Sequence, residues 1–359
     1  MAASDAAPAI VEALCRDLPK SLAVHLHQID LLQDRVLLVR LTAEDFARAS
    51  FLDQRVVTRE AQAAWFGWEQ LERCMAGSHA RTPAHFIFHV GHCGSTLLSR
   101  LLAELGVLPL REPLPLRTLA ELHAELDTPG CRWSKPTFAG RLDVLLASYA
   151  RGTQPAAVKA SSFCNDLAMQ MLVKSNDTKA TICYVALRPY IANMLIGPNS
   201  RLDLLAMAPL RLRRLDARVG GGAGRLSEMR AGVVAAMSWV TEMSALAATL
   251  DAVAENRCHC VEFDAFLADV PAGLHCLADH VIPGVTDARV AAAATSPALK
   301  QYSKAPEHAF DAGLRRRLLA EAEAQFGDEI LAGLRWGESA AARFEPVARA
   351  LDRFGASAC

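Results

Sequence analysis

Three hundred and fifty-nine residues allow one large or two modest domains with a substantial core, which excludes a small disulfide scaffold and a fibrous repeat. Thirty-eight Lys and Arg against 39 Asp and Glu give a formal net charge of -1, so no global basic field exists for nucleic acid or an anionic membrane, and any polyanion must be met locally. Hydrophobic content of 52% is spread through short runs that nowhere reach the roughly 18 uncharged apolar residues of a membrane span.

Met1 to Lys20 carry Asp5, Glu12 and Asp17 with neither a basic start nor an apolar stretch, so no secretory signal is visible and a cytoplasmic protein is expected. In that compartment the 10 cysteines are expected to be mostly reduced core residues. Residues 1–82 read as a small α+β extension. It has a helical start, an apolar strand Arg35–Arg40 suited to edge pairing, and a capping pattern Thr42-Ala-Glu-Asp45 that opens a short helix. The stretch from Ser78 to Pro83 reads as a linker.

From Phe86 onward short apolar runs alternate with longer helical patterns, which predicts strand-helix-strand units and a parallel sheet over residues 83–335. The expected strands are Phe86–Val90, Val107–Leu110, Ala156–Lys159, Thr181–Leu187 and Cys258–Phe263, and residues 336–359 are left as a tail. Met229, Val233, Met237, Val240, Met243, Ala247 and Leu250 recur at steps of three and four and mark a long helix, and a second amphipathic helix is expected over Leu314–Leu334. The basic run Arg211–Arg218 leading into Gly220–Gly224 reads as a solvated helix end and a mobile loop; the sharper alternative is a flap over an anionic ligand. Cys258-His259-Cys260 invites a metal, but alternation along a strand sends His259 to the face opposite both thiols, and no metal is expected.

The strongest local signal is the apolar strand His85–Val90 followed by Gly91-His92-Cys93-Gly94-Ser95-Thr96 and the helical pattern Leu97–Leu105. A turn of this kind aims backbone N–H groups, a helix N-terminus and two hydroxyls at one spot, which makes an anion-binding concavity. No Lys precedes Ser95, so this is not the GxxxxGK[ST] loop, and ATP hydrolysis loses its main support.

At these residues the chain resembles the sulfotransferases, whose phosphosulfate loop reads approximately Pro-(Lys/Arg)-Ser-Gly-Thr-Thr before a Leu- or Trp-rich helix. The resemblance continues in order through Val158-Lys159, the segment ending Leu187-Arg188-Pro189, and Cys260-Val-Glu-Phe-Asp264 to Pro271, covering about residues 83–335. It implies an α/β fold, a P-loop NTPase-like three-layer sandwich with a parallel central sheet flanked by helices. It also implies 3′-phosphoadenosine 5′-phosphosulfate as co-substrate and transfer of its sulfuryl group to an acceptor hydroxyl or amine on a small molecule or carbohydrate. On this reading Gly91, His92, Cys93, Gly94, Ser95 and Thr96 hold the phosphosulfate, and Arg188 with Asn193 meets the 3′-phosphate. Lys300, in Lys300-Gln-Tyr-Ser-Lys304, stands in for the family's basic loop.

Glu112, directly after the second strand, is the expected general base, with His92 and Lys159 as rival carriers of the chemistry. His92 stands where the family has Lys or Arg, Pro189 follows Arg188 immediately, and Ile196 replaces a Ser. Two alternatives remain beside transfer: a P-loop-fold nucleotide-binding protein without transferase activity, and a small-molecule phosphotransferase. Residues 112–150 and 196–228 are the expected acceptor-selecting segments. Residues 1–82 are left to cap the sheet edge, cover the acceptor cleft or form a contact between copies in a homo-oligomer.

Overall fold

The computed structural model describes residues 7–76, 82–302 and 309–355. Most of the expected linker Ser78–Pro83, and Lys304, lie outside the described residues. The architecture is mixed α/β with two sheets. A three-stranded antiparallel sheet has the order β1 (Val24–Asp30), β2 (Arg35–Arg40), β3 (Ala63–Gly67). A five-stranded sheet is built from β4 (His85–His89), β5 (Leu108–Arg111), β6 (Ala156–Lys159), β7 (Ala180–Tyr184) and β8 (Cys258–Glu262), in the order β5-β6-β4-β7-β8. The pairs β5–β6 and β6–β4 run parallel, with helices in the crossovers as such pairing requires. By contacts the chain falls into two compact units, Met1–Ile87 with Leu98–Ala180, and Phe88–Leu97 with Thr181–Cys359.

In the first unit β2 is the central strand of its sheet rather than an edge. Val36 to Val39 are four consecutive buried residues, a pattern that demands cover on both faces and partners on both sides. Its neighbour β1 is hard to read because it carries His25 and His27, both buried. Arg111 ties β5 to residues 46–52. Its Nη1 donates to the carbonyls of Phe46 at 3.1 Å, Ala47 at 3.2 Å and Ala49 at 2.7 Å, closing the end of the helix Ala43–Arg48. Its Nε meets Ser99 Oγ at 3.1 Å, and the Leu52 amide donates to its carbonyl at 2.7 Å. Burial, then the charge of Arg100, brings this guanidinium down to about 10. The expected Thr42 capping box is present, each partner bonding the other's amide. Cys15 and Cys74 form a disulfide between the helices Pro8–Asp17 and Trp68–Met75, which corrects the reduced reading for that pair.

In the second unit the long apolar series forms the helix Ala231–Ala252. It is the one described helix long and apolar enough to cross a membrane, and 83% of that stretch is buried inside the protein. It packs against the helices Leu187–Ile196, Pro198–Val219, Ala312–Arg343 and Glu345–Phe354. Trp239 Nε1 reaches the carbonyl of Val185 at 2.9 Å. The basic run is not a solvated end: Arg211 and Arg214 are buried and face the buried Glu242, with Arg214 bonding both carboxylate oxygens at 2.8 and 2.9 Å. Burial without that partner would be prohibitive. The helix then stops at Gly220, whose φ of 79° makes the left-handed cap, and the Asp216 side chain holds the Ala223 amide at 2.9 Å. Residues 336–343 continue the helix Ala312–Arg343, and Glu345–Phe354 forms another with Val347, Ala350 and Phe354 buried.

Candidate functional site

β4 is buried along its whole length and delivers the turn at its carboxyl end. Gly91, His92 and Gly94 have φ of 87°, 51° and 78°. Left-handed residues in such a turn bring successive N–H groups to one side and form a nest for an anion. The amides of His92, Gly94, Ser95 and Thr96 donate to no acceptor among the described residues. Gly94 is doubly constrained, because a Cβ there would stand 2.0 Å from the Phe263 ring. Ser95 and Thr96 open the helix Ser95–Glu104 and are both buried, and Thr96 Oγ1 has no hydrogen-bond partner among the described residues. A buried hydroxyl left unbonded costs about 1–3 kcal/mol, a cost that a ligand oxygen would relieve.

The turn forms one wall of a solvent-open cavity of about 100 Å³ within the second unit, completed by Asn193, Ser200, Phe263, Tyr302, Phe310 and Arg315. Asn193 Nδ2 donates to the His92 carbonyl at 3.2 Å. His92 is gripped from the helix Pro198–Val219: Ser200 Oγ lies 3.2 Å from Nδ1 and Asp203 Oδ2 lies 3.7 Å from Nε2. Burial pushes Asp203 up, but the hydrogen bond to His92 and the charge of Arg211 outweigh it and hold the carboxyl below its ordinary range. An ionised carboxylate therefore faces the imidazole. Arg315 is tied to Asp264, with Nη2 to Oδ2 at 3.0 Å, and lies 5.3 Å from the centre of the Phe263 ring. With Arg315 tied to one carboxylate and His92 facing another, the attraction for an anion comes chiefly from the amides and the helix start.

The structure brings Gly91 to Thr96 and Asn193 together and places the other sequence-derived residues elsewhere. Arg188 lies in the first turn of the helix Leu187–Ile196, paired with Glu323 at 3.1 Å, and is not among the cavity-lining residues. The expected strand Thr181–Leu187 ends at Tyr184 because Pro189, lacking an N–H, suits a helix start. Lys300 closes the short 3-10 turn Pro297–Lys300, exposed and outside the cavity lining. Glu112 and Lys159 belong to the first unit and pair with each other. Lys159 is wholly buried, its Nζ 5.9 Å from the centre of the Phe51 ring. Glu112, just past the carboxyl end of β5, has φ of 49°. A left-handed backbone outside glycine is uncommon and gathers at functional sites, and His92 and Glu112 are two of the three such residues described.

Ser200, Asp203, Phe263, Tyr302, Phe310 and Arg315 carry no motif that would single them out as site residues. They reach the turn through tertiary packing. The nearest signal is the spacing of Ser200 and Asp203, which puts both on one helical face.

No protein-family model matches the chain, and no curated protein matches it significantly. Among solved structures, similarity is found to a sulfotransferase domain from the curacin biosynthetic pathway, at 14% identity over 69% of this chain and 99% of that one, with a TM-score of 0.39. A sulfotransferase domain from the Synechococcus PCC 7002 olefin synthase matches at 17% identity over 68% of this chain and 95% of that one, with a TM-score of 0.35. Sulfotransferase STF9 from Mycobacterium avium matches at 11% identity over 91% of this chain and 98% of that one, with a TM-score of 0.33. Likeness this distant assigns neither family nor activity.

Proposed function

We propose that the protein is a sulfotransferase-like enzyme that binds 3′-phosphoadenosine 5′-phosphosulfate at the turn Gly91–Thr96 and passes its sulfuryl group to an acceptor hydroxyl or amine. The observation that carries the proposal is the turn itself. Four amides without acceptors and a buried Thr96 hydroxyl without a partner among the described residues lie along one cavity wall, and that inventory fits a phosphosulfate rich in oxygen acceptors. Phe263, Tyr302 and Phe310 supply aromatic faces on which a purine can stack.

In the reaction the acceptor oxygen or nitrogen forms a bond to sulfur while the bond from sulfur to the bridging phosphate oxygen breaks. Adenosine 3′,5′-bisphosphate leaves, and the acceptor proton passes to a base. Negative charge grows on the bridging oxygen, and fixed donors there are stronger in the transition state than in the ground state. His92, held by Ser200 and Asp203, is the side-chain donor assigned to that oxygen. Glu112 is assigned as the base, its carboxylate held by Lys159. Arg315 is the cavity's cation for the nucleotide, and Arg188 serves the 3′-phosphate only by exchanging Glu323 for it.

Thermal shift tests the proposal: adenosine 3′,5′-bisphosphate should raise the melting temperature, and ATP with magnesium should not. Preference for ATP would transfer the site to the phosphotransferase reading.

A further inference from the structure

The anion-binding turn carries a thiol that a sheet strand answers with another. Cys93 lies inside the turn and lines the cavity, Cys183 lies in β7, and both side chains are buried and reduced. Their sulfurs are 3.7 Å apart. Each thiol also sits on the other residue's carbonyl, Cys93 Sγ at 3.2 Å from the Cys183 oxygen and Cys183 Sγ at 3.1 Å from the Cys93 oxygen. The Val90 amide donates to the same Cys183 carbonyl at 3.3 Å, so the root of the turn is pinned to the strand beside the thiol.

We propose that Cys93 and Cys183 form a reversible disulfide that withdraws the turn from its anion. A disulfide needs its sulfurs about 2.05 Å apart, so from 3.7 Å the pair must close by more than an ångström. Cys183 cannot supply that movement, because β7 lies between β4 and β8 in the sheet. The turn can supply it: Gly91, His92 and Gly94 flank Cys93 with φ values that a small rotation changes, and the amides of His92 and Gly94 are among those that meet the anion. Closing the bond draws Cys93 toward β7 and shifts the neighbouring N–H groups out of register with a bound oxyanion.

With hydrogen peroxide as oxidant the step balances. The Cys93 thiolate attacks a peroxide oxygen, giving a sulfenic acid and, after proton uptake, water. The Cys183 sulfur then displaces the sulfenic hydroxyl as a second water, so two thiols lose two electrons and two protons in all. Cys93 belongs to the cavity wall but is wholly buried, so a small peroxide reaches its sulfur from the cavity as the turn opens. A dithiol reductant reverses the bond.

The effect on binding rests on the anion-site reading above; the crosslink does not. The test is peptide mapping by mass spectrometry on protein that has been fully reduced and then treated with peroxide, with re-formation of Cys15–Cys74 showing that the oxidant has acted. The expected result is a peptide linking Cys93 to Cys183, lost on adding dithiothreitol. Alongside it, affinity for adenosine 3′,5′-bisphosphate should be at least about tenfold weaker in the oxidised wild type and unchanged in oxidised Cys183→Ser. Separately modified thiols with Cys15–Cys74 re-formed would overturn the proposal. So would a linked protein that binds the bisphosphate as tightly as the reduced one. If the reduced protein does not bind the bisphosphate, the proposed function fails, and amide hydrogen exchange over residues 91–96 decides this inference: altered exchange on crosslinking sustains it and unaltered exchange overturns it.

Discussion

Asp203 faces His92 across 3.7 Å from a helix that also presents Ser200 to the other ring nitrogen. The histidine so held has a left-handed backbone, φ 51°, in the middle of the turn. Asp203→Asn keeps the shape and removes the charge. A partly exposed pair of this kind is worth about 1 kcal/mol, so affinity for adenosine 3′,5′-bisphosphate should fall roughly three- to tenfold with the circular dichroism spectrum unchanged. An unaltered affinity would take Asp203 out of the site.

Gly94→Ala meets two obstacles: φ of 78°, and a Cβ position 2.0 Å from the Phe263 ring. Strain of this kind costs about 1–3 kcal/mol, and relief by rotation would move the turn. The variant should melt several degrees lower and lose nucleotide-induced stabilisation. Adding Phe263→Leu should restore part of the melting temperature, because it removes the steric part and leaves the backbone part. Full recovery would show that φ at this position carries no cost.

Glu112→Gln leaves the wholly buried Lys159 without its counter-charge. Breaking a buried pair from one side costs on the order of 3 kcal/mol, and replacing both partners costs far less. Urea denaturation should therefore show Glu112→Gln strongly destabilised and Glu112→Gln with Lys159→Met largely restored. Sulfuryl transfer should drop about a hundredfold in both. A restored fold with restored activity would remove Glu112 as the base.

His25 and His27 give the first unit an acid limit. Burial, then the charges of His27 and Arg151, sets His25 well below its ordinary value. Burial, partly opposed by Asp53, brings His27 down to about 4. The unfolded chain takes up a proton near 6.5, where the folded one does not. Stability is thus complete above that pH and lost as pH falls from 6.5 toward 4, by on the order of 3 kcal/mol for His27 alone. Unfolding free energies across this window should fall steeply in the wild type and less so in His27→Gln. Parallel profiles would locate the acid sensitivity elsewhere.

The turn was legible because its signal is local: an apolar strand, two glycines and two hydroxyls within a dozen residues. The parallel alternation and the helix Ala231–Ala252 were legible from periodicity. What escaped reading depended on partners remote in sequence. Arg211 and Arg214 look solvated until Glu242 is placed beside them. The central position of β2 is hidden by the histidines of β1, whose burial only the fold provides. Arg315 and Phe263 approach Gly94 through packing that no spacing announces.

Whether the turn Gly91–Thr96 holds the phosphosulfate end of a nucleotide is decided by calorimetric titration with adenosine 3′,5′-bisphosphate, run on the wild type and on Thr96→Val, which keeps the shape and removes the unpartnered hydroxyl. Saturable one-to-one binding without magnesium is expected, weakened in Thr96→Val by about 1 kcal/mol. No binding, or equal binding by the two proteins, would contradict it.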